Sequence, residues 1–212
     1  MLAIDSGSPV TSVAVAAGDR LLAAAAVERT DSSETLLALI DGVLAEAGAA
    51  PADLGSVCVL RGPGSFTGLR IGLATALGLH QALGIRAAAM PTLRVLAESA
   101  GAARVVAAVD ALRGEWFVQA FRRRIILEPE GGPELLQAAA VRLPEGSVLV
   151  GFGGDRLAAA AGLEAARVRI PAGLAPVAAG LAARWTEWDP ALLTQPLYLR
   201  AAPATPPTRH QT

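Results

Sequence analysis

One short pattern occurs twice in this chain and constrains its fold more than any other feature. Leu2-Ala3-Ile4-Asp5 is an apolar run that ends in aspartate, and the run from Val105 to Asp110 repeats it. Each copy is followed by a short polar turn and further apolar runs of strand length, which is typical of β-hairpins. Two separate copies predict a duplicated β-rich unit, and a chance similarity between two short runs is the alternative.

Helical periodicity between the strand-like runs makes the predicted fold class α/β. From Ser33 apolar residues recur at intervals of three and four as far as Gly48, and a long helix is predicted from the glycine-rich turn at 62–65 to about Leu83. Thr92 is placed as the N-cap of a helix that runs to residue 100. The remaining predicted elements are strands at 2–4, 12–16, 21–27, 57–60, 85–90, 105–110, 115–121, 125–127 and 148–150, and helices at 156–163 and 175–188.

These elements predict two subdomains, each a mixed sheet with flanking helices. The first covers residues 1–102 and the second, shortened subdomain covers 103–200, with its C-terminal helix packing back toward the first. Residues 201–212 contain three prolines and are predicted to be a disordered tail.

Composition excludes several classes of protein. The 212 residues carry a net charge of −1, which gives the chain no general electrostatic reason to bind nucleic acid alone. Although 53% of residues are hydrophobic, the longest uncharged stretch, Ile71 to Ile85, is shorter than the roughly 18 apolar residues that span a bilayer, so we expect a soluble chain with no membrane partner. The single cysteine and the absence of a signal-peptide pattern favour the cytoplasm. Every basic residue is arginine, which excludes chemistry that requires lysine.

The segment from Arg61 to Gly72 is the most informative for function. It joins a buried strand to a helix, where free N–H groups and the helix dipole favour an anion, so Gly62, Gly64, Ser65 and Thr67 are candidate nucleotide-binding or anion-binding residues. The segment fits neither the P-loop nor the dinucleotide fingerprint. The alternative is a tight turn that requires glycine, with Ser65 or Thr67 capping the helix.

The helix after this turn has one face with almost no side chains. Gly68, Gly72 and Ala76 recur every four residues, so another backbone can approach closely along this stripe. Each glycine inside a helix destabilises it by up to about 1 kcal/mol relative to alanine. A compensating contact is therefore expected, either inside the protein or with a partner helix. Arg70 lies among these residues and could pair with a carboxylate across such an interface; a solvated arginine is the alternative.

Two aspartates, Asp5 and Asp110, end strands and face turns. Carboxylates in such positions hold hydrated metals or activate water in phosphoryl-transfer folds, and ordinary Asx-turn residues look the same in sequence. A protease triad and a zinc site are poorly supported, because the two histidines, His80 and His210, are isolated from each other and from the one cysteine. No metal site is predicted.

The segment Arg61–Gly72 resembles the signature of the TsaB (YeaZ) family, the dimerisation subunit of the bacterial machinery that makes threonylcarbamoyladenosine in tRNA. The resemblance implies a duplicated actin/Hsp70-like (ASKHA) fold and a subunit that does no chemistry itself. Such a subunit pairs through the helices of its first subdomain with the catalytic paralogue TsaD and supports transfer of threonylcarbamoyl to adenosine 37 of tRNAs that read codons beginning with A. Further matching segments are Leu2–Ser6, Ser12–Val15, Ser33–Leu37, Val109–Glu115 and Pro196–Arg200.

The resemblance also has limits. The catalytic paralogue holds its metal with a His-x-x-x-His motif, whereas the matching stretch Ser32–Leu37 has no histidine, so the metal function is not carried over. Family members commonly have histidine where this chain has Ser32. The ATPase TsaE, indirect contact with tRNA through the complex, and ADP or ATP at the subunit interface are expected by family inference alone.

Three hypotheses follow. In the first, the chain is the non-catalytic partner subunit, its interface is formed by Leu36, Leu37, Ile40, Gly68, Arg70, Gly72 and Ala76, and Gly72→Leu leaves the fold intact but abolishes pairing. In the second, the chain is an enzyme, either an ATP-dependent phosphotransferase that uses Asp5 and Asp110 or a peptidase. In the third, the same helices close a twofold homodimer when the partner is absent.

Overall fold

The computed structural model describes residues 1–28, 33–184 and 187–199. The first half of the chain forms a five-stranded sheet in the order β3-β2-β1-β4-β5. β2 is antiparallel to both of its neighbours, β1 and β3, whereas β4 and β5 run parallel to β1. Its elements are β1 (Leu2–Asp5), β2 (Val10–Ala17), β3 (Arg20–Glu28), α1 (Ser33–Glu46), β4 (Ser56–Leu60), α2 (Phe66–Leu83), β5 (Arg86–Met90) and α3 (Thr92–Ser99), with a short 3-10 helix at Pro51–Asp53.

The second half forms another mixed sheet in the order β11-β10-β6-β7-β8, and β9 pairs with β7 as well. β6 is antiparallel to β7, while β10 and β11 run parallel to β6. Its elements are β6 (Arg104–Asp110), β7 (Glu115–Arg123), β8 (Leu127–Pro129), β9 (Glu134–Gln137), β10 (Val148–Val150), α4 (Gly154–Ala161), β11 (Val168–Arg169) and α5 (Ala175–Ala182), with 3-10 helices at Ala138–Ala140, Ala165–Arg167 and Pro190–Thr194.

The two sheets have the same topology, which confirms the predicted duplication and the actin/Hsp70-like fold class. Each sheet opens with three consecutive strands, β1 to β3 or β6 to β8, in which neighbours are antiparallel. Two strands parallel to the first then lie on its other side, and a helix precedes the last of them. The copies differ where α1 precedes β4, because the corresponding connection in the second half contains β9 and the 3-10 helix Ala138–Ala140 in place of an α-helix. The change from one sheet to the other falls between Met90 and Arg104.

Alternating side chains of the strands build three apolar clusters and so define the layers. One face of the first sheet packs Ile4 and Val13 against Leu36 and Ile40 of α1, with Leu73 of α2 in the same cluster. The other face forms the large cluster between the sheets, which α3 and α5 fill. The outer face of the second sheet packs against α4. Alanines at inward positions of β1 and β2 let α5 approach the first sheet closely.

The C-terminal part of the chain returns to the first sheet. The Ser12 hydroxyl oxygen on β2 accepts hydrogen bonds from the N–H groups of Leu174 (3.1 Å) and Ala175 (3.0 Å), where α5 begins. These bonds satisfy two of the N–H groups that the start of a helix leaves unpaired. The 3-10 helix Pro190–Thr194 packs against β5 and α2. The N-terminal sheet is therefore completed by residues from the end of the chain.

Several local predictions are wrong in detail. Thr92 is the first helical residue of α3 and not its cap, because the preceding residue is Pro91 and no side chain caps this end. The strand predicted at 125–127 begins only at Leu127, since Ile125 is 95% exposed at the hairpin turn. The last helix ends at Ala182 instead of reaching 188, and β9 was not predicted. Ser32, Trp185 and the tail 201–212 lie outside the described residues, and none of the helices described is long and apolar enough to cross a membrane.

Candidate functional site

The glycine-rich turn between β4 and α2 is closed by the protein's own backbone. The N–H of Ser65 donates to the carbonyl oxygen of Gly7 (2.8 Å), and a Cβ atom on Gly64 would lie 2.6 Å from that oxygen. The Ser65 hydroxyl oxygen accepts from the N–H of Gly68 (3.3 Å), so Ser65 is the N-cap, as one of the sequence alternatives expected. Thr67 is exposed in the first turn of α2. Of the residues proposed for an anion, Ser65 therefore already uses its N–H group within the chain, and the neighbouring N–H of Gly68 is used as well.

Glycine is required at position 62 for structural reasons, whether or not an anion binds there. Its φ is +112°, which favours glycine, and a Cβ atom there would lie 2.8 Å from the carbonyl oxygen of Leu197. The carbonyl oxygen of Gly62 accepts from the N–H of Thr92 (2.8 Å). Anion binding by Gly62, Gly64, Ser65 and Thr67 stays a prediction.

The small-residue stripe of α2 faces the interior of this chain, which corrects the interface prediction for three residues. Gly68, Gly72 and Ala76 are buried. A Cβ atom on Gly68 would overlap the carbonyl oxygen of Ser6, and one on Gly72 would overlap the Ser6 hydroxyl oxygen. The turn after β1 therefore makes the close contact that a partner helix was expected to make. Gly72→Leu would disturb the fold, so it is not the clean test that the sequence suggested.

The α1 residues predicted for the interface divide between the core and the surface. Leu36 and Ile40 are only 1% and 4% exposed because they pack against the first sheet, so they cannot contact a partner, which corrects that prediction. Leu37 is 51% exposed on the outer side of α1. Arg70 is exposed on α2. The surface that remains for a partner is thus the outer side of the two helices.

Two side chains of α2 and one from the C-terminal part of the chain meet at this surface. The guanidinium carbon of Arg70 lies 3.8 Å from the centre of the Phe66 ring, and the Phe66 and Tyr198 rings stack with their centres 5.1 Å apart. Arg70 Nε donates to the Tyr198 hydroxyl oxygen (3.1 Å). The sequence did not relate Tyr198 to Arg70 and did not single out Phe66, because nothing local connects positions 66 and 198.

Asp5 is completely buried at the end of β1. Its Oδ1 accepts from the N–H groups of Gly7 (3.1 Å) and Ser8 (3.2 Å), which makes it an Asx-turn residue, while Oδ2 has no hydrogen-bond partner among the described residues. Burial raises the pKa of the Asp5 carboxyl to about 6, against the opposing effect of those hydrogen bonds. A carboxyl buried in this way contacts no ligand unless the turn opens.

Asp110 occupies the equivalent turn of the second sheet but has different partners. Its Oδ1 accepts from the N–H of Leu112 (2.7 Å), and its Oδ2 forms an ion pair with Arg156 Nη2 (3.1 Å) at the start of α4. Leu112 and Arg113 both have positive φ, which shows how tightly this turn is wound. The two aspartates belong to different sheets, each engaged in its own turn.

The groups at these turns are already engaged within the chain, and nucleotide binding by Asp5 and Asp110 stays a prediction. The Asp5 carboxyl is inaccessible, the N–H groups at the start of α5 are bonded to Ser12, and Asp110 is paired with Arg156. Across residues 1–28, 33–184 and 187–199, no group of three histidine, cysteine or acidic side chains is placed to hold a metal ion.

Comparison with known proteins gives consistent relatives. The family model for TsaD, tRNA N6-adenosine threonylcarbamoyltransferase, matches residues 26–142. The tRNA threonylcarbamoyladenosine biosynthesis protein TsaB of Escherichia coli K12 is 32% identical over 127 residues, which cover 58% of this chain and 55% of that protein. The chain therefore spans about half the length of the curated relatives it matches.

Two solved structures from Pseudomonas aeruginosa are similar over almost the whole chain. A protein described as uncharacterised, with similarity to peptidase YeaZ, has a TM-score of 0.81 at 25% identity and covers 94% of this chain and 98% of its own. YeaZ from the same organism has a TM-score of 0.73 at 25% identity, covering 87% of this chain and 91% of its own.

Proposed function

Because this chain belongs to the TsaB (YeaZ) family, we propose that it is a non-catalytic subunit that pairs with the catalytic paralogue TsaD. In that pair it supports transfer of threonylcarbamoyl to N6 of adenosine 37 in tRNAs that read codons beginning with A. The name of the Escherichia coli relative, a tRNA threonylcarbamoyladenosine biosynthesis protein, supports the pathway. The TsaD family model that matches this chain supports the choice of partner.

The observation that carries the proposal is the exposed apolar surface on the outer sides of α1 and α2. Leu37 is 51% and Phe66 46% exposed, although the opposite faces of both helices are fully covered by the first sheet. Exposed large apolar side chains on such helices, with Arg70 stacked on Phe66, are typical of protein interfaces. The proposed interface consists of Leu37 and Arg70 from the sequence prediction, with Phe66 added.

The positions of the two aspartates support a non-catalytic role. Asp5 is buried below its turn and the Asp110 carboxylate is already paired with Arg156, so a substrate would have to displace these contacts. A phosphotransferase or peptidase would require turnover by the isolated chain, measured as phosphate or peptide release. We place any ADP or ATP at the boundary with the partner subunit, because the turns inside the chain are occupied by its own groups.

The remaining partners follow from the same proposal. tRNA is reached indirectly through the complex, which agrees with the net charge of −1, and the ATPase TsaE joins by family inference. The reaction on tRNA places the chain in the cytoplasm. When the catalytic paralogue is absent, the same outer helix surface closes a homodimer, so adding the paralogue should dissociate it.

The pairing is tested by isothermal titration calorimetry, which measures the dissociation constant of this chain and the purified catalytic paralogue from the same host. Leu37→Glu should weaken binding at least about tenfold, because it places a charge at the centre of an apolar contact. Leu21→Glu is the matched control, since Leu21 has similar exposure but lies on β3. Equal binding by both variants would remove α1 from the interface.

The pathway is tested by depleting the protein in its own host and measuring the nucleosides of digested bulk tRNA by mass spectrometry. Threonylcarbamoyladenosine should fall, and the wild type and Leu21→Glu should restore it while Leu37→Glu does not. Unchanged modification in a host with one copy of the gene would refute the proposed function.

A further inference from the structure

The group formed by Phe66, Arg70 and Tyr198, which we call the Arg70 patch, is assembled from two distant parts of the chain. Phe66 and Arg70 are one helical turn apart on α2, whereas Tyr198 comes from the segment 195–199, which we call the C-terminal strap. The guanidinium of Arg70 stacks on Phe66 at 3.8 Å, and its Nε is held by the Tyr198 hydroxyl oxygen at 3.1 Å. An exposed arginine is thereby fixed in one orientation.

The strap is positioned by backbone contacts with the glycine-rich turn. The N–H of Leu197 donates to the carbonyl oxygen of Arg61 (2.6 Å), and Arg61 Nη1 donates to the carbonyl oxygen of Gln195 (3.3 Å). The carbonyl oxygen of Leu197 lies against Gly62, and a Cβ atom at position 62 would be only 2.8 Å from that oxygen. Gly62 is therefore required for the strap as well as for the turn, and these contacts set the position of Tyr198.

The patch is prepared for an anionic group on an apolar surface. Phe66 and Tyr198 are 46% and 40% exposed. No carboxylate in the described part of the chain forms an ion pair with Arg70, and the first turn of α2 contains no acidic residue. With Nε occupied, the two terminal nitrogens of the guanidinium are left for an outside acceptor, and carboxylates bind arginine in that bidentate manner.

We propose that the Arg70 patch is a docking site for an aspartate or glutamate side chain of the partner subunit, and that the C-terminal strap is a built-in part of that interface. The inference rests on the proposed pairing. A protein carboxylate is favoured over an RNA phosphate, because two exposed aromatic rings around one arginine have the composition of an interface hot spot and the chain as a whole is not basic. Because stacking on Phe66 and the hydrogen bond to Tyr198 already hold Arg70 in place, its side chain loses less conformational entropy on binding.

The test measures binding of the full-length chain to the purified catalytic paralogue at two salt concentrations. Arg70→Gln should weaken binding at least about tenfold and flatten its salt dependence, because it removes the charge. Tyr198→Phe keeps the stacked ring but releases Arg70 Nε, so it should weaken binding about threefold. Arg20→Gln, an exposed arginine on β3, is the matched control and should stay within about twofold. Thermal unfolding should show that all three variants are as stable as the wild type.

Three results would overturn the inference, and they separate it from the proposed function. If Arg70→Gln binds the paralogue normally while Leu37→Glu does not, pairing is real but the patch is not part of it. If Arg70→Gln weakens only the binding of bulk tRNA to the assembled complex, the ligand is a phosphate. If the wild-type chain does not bind the paralogue at all, the proposed function and the inference both fall.

Discussion

Alanine substitution at two glycines of the same helix provides the sharpest test of how α2 is packed. Gly68 and Gly78 both lie inside α2, ten residues apart. A Cβ atom on Gly68 would overlap the carbonyl oxygen of Ser6, whereas one on Gly78 would meet nothing within 4 Å. The two substitutions change the same atoms of the unfolded chain, so their difference measures the contact.

The expected free energies of unfolding have opposite signs. Gly78→Ala should stabilise the protein by up to about 1 kcal/mol, the difference in helix propensity between alanine and glycine. Gly68→Ala should destabilise it by about 2–3 kcal/mol. Overpacking against backbone costs about 1–3 kcal/mol, and the hydrogen bond from the Ser6 hydroxyl to the carbonyl oxygen of Gly68 (2.8 Å) is strained as well.

Urea denaturation followed by circular dichroism and tryptophan fluorescence measures both variants. A separation of about 3–4 kcal/mol corresponds to midpoints that differ by about 1 M or more. Gly42→Ala in α1, another glycine with open space around it, should behave like Gly78→Ala. Equal midpoints for Gly68→Ala and Gly78→Ala would refute the internal packing of the stripe.

Three further changes test individual contacts. The pKa of Asp5 is raised from 3.8 to about 6, so ionisation of this carboxyl destabilises the folded state. The loss of stability is absent below about pH 3.8, grows between pH 3.8 and pH 6, and is complete above pH 6. Asp5→Asn should therefore add up to about 3 kcal/mol of stability at pH 7.5 but only about 1 kcal/mol at pH 4.5, measured by urea unfolding; equal gains would show that the charge is not the cause. Ser12→Ala leaves the N–H groups of Leu174 and Ala175 without their acceptor and should cost about 1–3 kcal/mol in thermal unfolding, and an unchanged melting temperature would contradict the proposed role of Ser12. Ser65→Ala removes the cap of α2 and should cost about 1 kcal/mol in the same assay.

Local chemistry was sufficient to predict the elements whose determinants are adjacent in sequence. The antiparallel strands β1 to β3 follow from short apolar runs divided by polar turns. Helix α2 runs from Phe66 to Leu83 because Ser65 caps its start and the left-handed Gly84 caps its end, and both are local signals. The repeat of an apolar run ending in aspartate also predicted the duplicated topology. The length of the last helix was wrong, because an alanine-rich run does not itself contain a stop signal.

The candidate site was harder to predict because its contacts join distant residues. The sequence shows that α2 has a smooth face but not what covers it; sheet pairing of β1 with β4 brings the turn at Ser6 onto Gly68. Apolar periodicity likewise placed Leu36 and Leu37 together, although consecutive helical positions point in different directions and only one is exposed. Tyr198 reaches Arg70 across 128 positions, so no local pattern relates them.

The return of the chain to its first sheet has a consequence for biosynthesis. Ser12 is separated by 162 positions from the N–H group of Leu174 that it binds, and α5 covers the face of β1 and β2 that lies between the sheets. During translation the N-terminal strands emerge with that apolar face uncovered. It stays uncovered until α5 has left the ribosome, roughly 8–30 s later at about 5–20 residues per second. Pairings between such distant residues also fold slowly. The nascent first half is therefore the stage at which this protein depends most on chaperones, and ribosomes stalled before α5 should display a chain that is sensitive to protease and prone to aggregation.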